Sequence, residues 1–130
     1  MKKLIRMAME ARKRAYARYS GFKVGAALEA TDGRIFTGCN VENASYGATC
    51  CAERTALFKG VSEGARKFKR IAIVAATKGP CPPCGVCRQA LYEFSPNLEV
   101  IMANTKGEAT VKKLAWLLPL GFEKGRLRKS

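Results

Sequence analysis

Apolar residues recur at Leu4, Ala8, Ala11 and Ala15, with basic side chains between them. The i, i+4, i+7, i+11 spacing predicts a helix over 2–17 with one small-residue face, suited to lying close to a sheet. Tyr16, Tyr19 and Ser20 follow, and Gly21 breaks the pattern. Phe22 to Leu28 predicts a buried strand, Thr31-Asp32-Gly33 a hairpin turn, and Arg34 to Cys39 the return strand. Asn40 to Thr49 is a polar loop. Cys51 to about Val61 predicts a helix ending near Gly64. The β-branched, apolar run from Arg70 to Ala76 predicts a central strand. Lys78 to Pro83 predicts a loop, Gly85 to Phe94 a short helix and Leu98 to Ala103 a strand. A turn at 104–107 leads to an edge strand at Glu108 to Val111. A short helix over Val111 to Leu118 is stopped by Pro119. A basic tail, about 123–130, closes the chain.

Helices that alternate with strands after an initial hairpin predict a three-layer α/β/α sandwich on a mixed sheet. The length of 130 residues suits a single domain over 1–130 with a real core. There is no internal repeat, linker or low-complexity stretch.

Composition narrows the chemistry. The chain has no histidine and one aspartate, Asp32. That excludes Ser-His-Asp triads, Cys-His pairs and His-ligated metal, and leaves glutamates as the main proton-transfer groups. Six cysteines would suit a disulfide scaffold in a secreted protein. However, Lys2, Lys3, Arg6, Glu10 and Arg12 interrupt the N-terminus before an apolar run forms, and no stretch is long enough to span a membrane. The expectation is a cytoplasmic protein with reduced thiols, where closely spaced cysteines indicate metal. The net charge is +14, and residues 1–18 carry seven Lys/Arg against one Glu. Such charge is compatible with a nucleic-acid partner. No basic-aromatic recognition module accompanies it, so a solvated basic surface is the favoured reading.

Two stretches carry the candidate chemistry: Cys51-Ala52-Glu53-Arg54 and Pro83-Cys84-Gly85-Val86-Cys87-Arg88-Gln89. Each is placed to open a helix. Cys84 and Cys87, at i and i+3, share one face of a first helical turn, with Pro83 tolerated at the entry. Cys81 stands before two prolines that stiffen it away from a helix. Cys50 and Cys51 compete as neighbours, and only Cys51 has a glutamate two residues on. A zinc ion with three protein ligands keeps its fourth position for water. The zinc-deaminase signature has a non-ligating Glu two residues after the first ligand and a later P-C-x-x-C. In its three-cysteine form it selects Cys51, Cys84 and Cys87 as ligands and Glu53 as the acid/base. Cys39, Cys50 and Cys81 are then small buried hydrophobes or minor thiols. Three thiolates leave a zinc centre at −1, which two helix N-termini offset.

On these motifs, and from about Ala15 to Phe122, the chain resembles the small zinc-dependent cytidine deaminases. The resemblance implies a five-stranded mixed sheet flanked by helices. It also implies hydrolytic deamination of cytidine and deoxycytidine to uridine and deoxyuridine plus ammonia, in pyrimidine salvage. A zinc-activated water would attack C4, with Glu53 moving the protons. Arg54 is implied to donate to a ligand thiolate, with Arg88 a further candidate or simply exposed. Asn40-Val41-Glu42 matches the motif that hydrogen-bonds the ribose hydroxyl. Phe22 is implied to stack on the base, Ala52 to offer its backbone N–H at C4, and Tyr46 to line the pocket. Phe122 matches an aromatic that enters a neighbouring subunit's site, which implies a homotetramer.

Three other readings compete. A deaminase of nucleoside analogues of the blasticidin S type would share the zinc residues but has no need of Asn40 and Glu42. A polynucleotide cytosine editor is motivated by the charge and disfavoured by the compact chain. A structural zinc module binding nucleic acid would need a fourth thiolate, with Cys81 the candidate.

Overall fold

The computed structural model describes residues 1–124. The tail expected at about 123–130 therefore lies mostly outside the described residues. The elements run in the order α1 (Lys2–Arg12), β1 (Val24–Ala30), β2 (Ile35–Cys39), a 3₁₀ turn (Tyr46–Ala48), α2 (Ala52–Ser62), β3 (Phe68–Ala75), α3 (Gly85–Phe94), β4 (Glu99–Asn104), β5 (Ala109–Lys113) and α4 (Leu114–Leu117). The strands form one five-stranded mixed sheet in the order β2-β1-β3-β4-β5. β3 is the central strand, as expected, and β3–β4 is the parallel pair; every other pairing is antiparallel. α3 is the crossover that a parallel pair requires.

Alternation along the strands splits the core into two layers. Ala27, Ala72, Val74, Ile101 and Ala103 face Leu4, Ile5 and Ala8 of α1. Ala26, Leu28, Ile71, Ile73, Val100 and Met102 face Ala52, Ala56 and Leu57 of α2 and Leu91 of α3. The three-layer sandwich is thus formed by α1 on one face and α2 and α3 on the other. Both helices approach the sheet at glycine. A Cβ on Gly25 would run into the Ala8 carbonyl and lie 2.5 Å from the Arg12 nitrogen. A Cβ on Gly38 would lie 2.5 Å from the Ala56 nitrogen and 2.7 Å from the Ala52 oxygen.

Two expected helices are shorter than their patterns. The first stops at Arg12, not 17, because tertiary hydrogen bonds claim the chain beyond it. The Tyr16 N–H donates to the Asn40 carbonyl at 2.9 Å and its carbonyl accepts from the Glu42 N–H at 2.8 Å. The last helix begins at Leu114, not Val111, because Val111–Lys113 pair with Glu99–Ile101 of β4. In both places pairing partners distant in sequence override local periodicity.

The register fixes where function can sit. Val24 pairs with Ala75, and Gly25 with Cys39. The start of β1 and the ends of β2 and β3 therefore lie at one end of the sheet. Phe22, the Asn40–Glu42 loop and the segment leading to Cys84 all emerge there, at the carboxyl ends of the parallel pair, where open α/β sheets place ligands.

We expect Gly25→Ala to cost about 3 kcal/mol or more of folding free energy, because the new methyl meets helix backbone and not a movable side chain. Urea denaturation reads this directly; a loss below about 1 kcal/mol would show that α1 can withdraw from the sheet.

Candidate active site

α2 and α3 each begin immediately after a cysteine. Cys51 and Cys84 are the N-cap residues, both in extended backbone conformation (φ −72°, ψ 156° and φ −68°, ψ 166°), and neither side chain caps its helix. Both sulfurs are left free to point elsewhere. Cys87 lies one turn into α3 and is buried. The Cys51 and Cys84 sulfurs are 3.7 Å apart, Cys84 and Cys87 are 3.4 Å apart, and all three lie within 4.8 Å of one another.

Zn–S bonds of about 2.3 Å in tetrahedral array would set the sulfurs about 3.8 Å apart. A disulfide would bring them to about 2.05 Å. The donor set therefore fits a zinc ion and is not cross-linked. Among the described residues no fourth cysteine, histidine or carboxylate joins the cluster. Cys81, the candidate for a closed site, stands outside it, half-buried, its thiol pushed up to about 11 by burial and by the Glu53 charge.

The cluster is electrostatically tuned. The Cys51 thiol is pulled down to about 5, chiefly by a hydrogen bond from Cys87, with Arg54 and Cys84 assisting against burial. Cys87 moves the other way, because it donates to Cys51 and is buried beside Glu53. An Arg54 terminal nitrogen lies 3.6 Å from the Cys51 sulfur and 3.5 Å from the Thr49 carbonyl. Its contacts with Cys51 and Cys87 hold the guanidinium charged. Glu53 is only 4% exposed. Burial pushes its carboxyl up to about 7, aided by the Cys51 charge and opposed by its own backbone N–H. A carboxyl that ionises near neutrality can both take and give a proton.

The loop from Asn40 to Cys50 is tied to this centre. Val41 exchanges two 2.9 Å backbone hydrogen bonds with Cys50, next to Cys51, while its other flank pairs with Tyr16. Asn40 is buried. Its Oδ1 accepts from the Val24 N–H at 2.9 Å and its Nδ2 donates to the Phe22 carbonyl at 2.7 Å, so much of its amide anchors the entry to β1. Glu42 accepts from the Tyr19 and Ser20 N–H groups at 2.9 and 3.0 Å and from the Ser20 hydroxyl. These bonds hold its carboxyl below the usual range.

A cavity of about 360 Å³ is lined by Tyr19, Ser20, Glu42, Asn43, Tyr46 and Thr49. Of the residues singled out from the sequence, Glu42 and Tyr46 line it, and Asn40, Ala52, Glu53 and the three clustered cysteines do not; Tyr19, Ser20, Asn43 and Thr49 had no sequence signal beyond lying beside recognised motifs. Phe22 is 45% exposed, and Ala52, fully buried, opens α2. Arg88 and Phe122 lie away from this cavity. Arg88 donates to the Pro83 and Leu117 carbonyls, not to sulfur. Phe122 is held on α3 through Gln89 and lines a different cleft with Tyr92 and Pro96.

Residues 1–103 match the family model described as the cytidine and deoxycytidylate deaminase zinc-binding region. The chain is 51% identical over 125 residues to a cytidine deaminase from Sporosarcina psychrophila, covering 95% of this chain and 92% of that one. It is 52% identical over 120 residues to a cytidine deaminase from Halalkalibacterium halodurans, covering 92% and 91%. The crystal structure of cytidine deaminase from Burkholderia pseudomallei superposes with a TM-score of 0.90 at 52% identity, covering 93% of this chain and 98% of that one.

Glu42 generates a pH dependence. Its pKa is lowered from 4.5 in the folded chain, so its contribution is complete above that value and is lost as pH falls through the depressed one. We expect Glu42→Gln to be less stable than the parent above about 4.5, with the gap closing in more acidic solution. Denaturation midpoints across that range measure it; a gap unchanged in acid would show that the carboxylate charge is not what holds Tyr19 and Ser20.

Proposed function

The chain belongs to the cytidine and deoxycytidylate deaminase zinc-binding family, and we propose that it deaminates cytidine and deoxycytidine hydrolytically, releasing ammonia, in cytoplasmic pyrimidine salvage. The observation that carries this reading is a three-sulfur metal site beside a buried carboxyl that ionises near neutrality. Cys51, Cys84 and Cys87 would hold a zinc ion, which when bound would supply the Lewis acidity that makes water a competent nucleophile at neutral pH.

The rest falls to the chain. Glu53 takes a proton from the attacking water, delivers it to N3 of the ring as C4 becomes tetrahedral, and later carries a proton to the departing amine. Its burial suits both halves of that cycle, since a freely solvated glutamate would be too weak a base. Arg54 and the positive ends of α2 and α3 draw off the sulfur charge that would otherwise blunt the metal. The Ala52 N–H, free at the first turn of α2, faces the oxygen forming at C4.

Glu42 and Asn40 hold the ribose hydroxyl. Asn40 has one amide hydrogen beyond its bond to Phe22, and Glu42 has acceptor capacity beyond its bonds to Tyr19 and Ser20. Phe22 stacks on the base and Tyr46, 81% exposed, closes the cavity wall. Phe122 is 55% exposed and absent from the lining of its own chain's cavity. We read it as the aromatic supplied to a neighbour, in a homotetramer of single-domain subunits.

Zinc-loaded protein given cytidine should convert it to uridine, followed by ultraviolet absorbance, and should leave cytosines within an oligonucleotide untouched. Glu53→Gln should retain its zinc and lose about 10²–10⁴-fold in turnover. Full activity in that zinc-loaded variant would remove Glu53 from the mechanism. Stripping the metal with a chelator should abolish turnover, and added zinc should restore it; activity surviving in demonstrably zinc-free protein would overturn the metal's role.

A further inference from the structure

α3 does more than carry two sulfurs. Its outward side grips the segment that follows α4. Arg88, directly after Cys87, donates from Nε to the Pro83 carbonyl at 2.9 Å and from a terminal nitrogen to the Leu117 carbonyl at 2.6 Å. Gln89 makes a two-point amide pair with the Phe122 backbone. Its Nε2 donates to the Phe122 carbonyl at 2.9 Å and its Oε1 accepts from the Phe122 N–H at 3.1 Å. One turn on, Tyr92 packs on Gly121 so tightly that a Cβ there would lie 2.9 Å from ring atoms and 2.9 Å from Leu118. Between these anchors Leu120 takes a left-handed φ of 56°, uncommon for a residue with a side chain.

Leu117 at the end of α4, and Gly121 and Phe122 beyond it, are all held by residues of α3: Arg88, Tyr92 and Gln89. The Phe122 ring itself is half-exposed beside an open cleft of about 340 Å³. The Phe122 backbone is pinned at both polar groups by one side chain, which fixes the point from which that ring projects.

We propose that Gln89 is a positioning residue for substrate binding, acting through Phe122. Arg88 and Tyr92 complete the grip on the same segment. The proposal rests on the reading of Phe122 as a substrate contact. With Gln89 in place, the order of the Phe122 segment is established before substrate arrives. Without it, ordering the segment opposes each binding event, and such a cost falls on KM and not on the chemical step.

Gln89→Met keeps the length of the side chain and removes both hydrogen bonds. Gln89→Glu keeps the acceptor for the Phe122 N–H and sets a charge against its carbonyl. In zinc-loaded protein with cytidine, we expect Gln89→Met to raise KM about tenfold with kcat within about twofold, and Gln89→Glu to fall between. Zinc content should match the parent, and amide exchange at Phe122 should quicken in both variants without substrate. Phe122→Ala should raise KM, and adding Gln89→Met to it should change little further. If Phe122→Ala raises KM while Gln89→Met does not, Gln89 has no positioning role. An additive double variant, or a fall in kcat alone, would likewise overturn it by placing the effect of Gln89 elsewhere. If Phe122→Ala leaves KM unchanged, the Phe122 reading itself fails, and the role proposed for Gln89 fails with it.

Discussion

Charge crowding is the constraint on which this molecule depends. Three sulfurs within 4.8 Å cannot all ionise without compensation. The fold supplies it by opening two helices at one point, so that both positive ends meet the thiols, and by setting the Arg54 guanidinium against Cys51. The thiols are pushed apart: Cys51 is lowered by the hydrogen bond from Cys87 and by Arg54, while Cys87 is raised. A divalent cation held by Cys51, Cys84 and Cys87 would supply the remaining positive charge. Burial raises the neighbouring Glu53 carboxyl and the Cys51 charge adds to it, against the Glu53 backbone N–H.

The sheet exists to bring those helix ends together. Parallel pairing of β3 with β4 sends α3 across one face, and the antiparallel start of the chain brings the start of β1 and the end of β2 to the same end of the sheet. Close packing makes the arrangement stiff. Gly25 lets α1 touch the sheet backbone on one face, and Gly38 does the same for α2 on the other. With α2 fixed in this way, Cys51 and Glu53 have little freedom relative to the loop at Asn40–Glu42, which is itself bonded to Cys50.

Much of this was legible in the sequence because the chemistry is local. Cys51-x-Glu53 and Cys84-x-x-Cys87 carry their geometry within one helical turn, and the apolar run at Arg70–Ala76 reads as a central strand in any setting. Cys51, Cys84 and Cys87 come together as the motifs predict, and Arg54 lies against Cys51. What local pattern does not contain is competition from distant partners. The helical period continues past Arg12, but the Tyr16 backbone bonds better to Asn40 and Glu42. Asn40 looks like a free loop amide, yet the start of β1 claims most of it. Arg88 sits beside a ligand in sequence, and its side chain turns to two carbonyls, one of them 29 residues away.

One consequence follows from the spacing of the sulfurs. Cys51 and Cys84 are 33 residues apart, and the chain between them runs through α2 and the central strand. An ion bound by both closes a ring around the middle of the fold, much as a covalent tie would. Because the unfolded chain holds no such site, the free energy of binding the ion adds to the stability of the fold. The catalytic ion is then also a fastener, and scarcity of the metal would erode the lifetime of the protein as well as its chemistry.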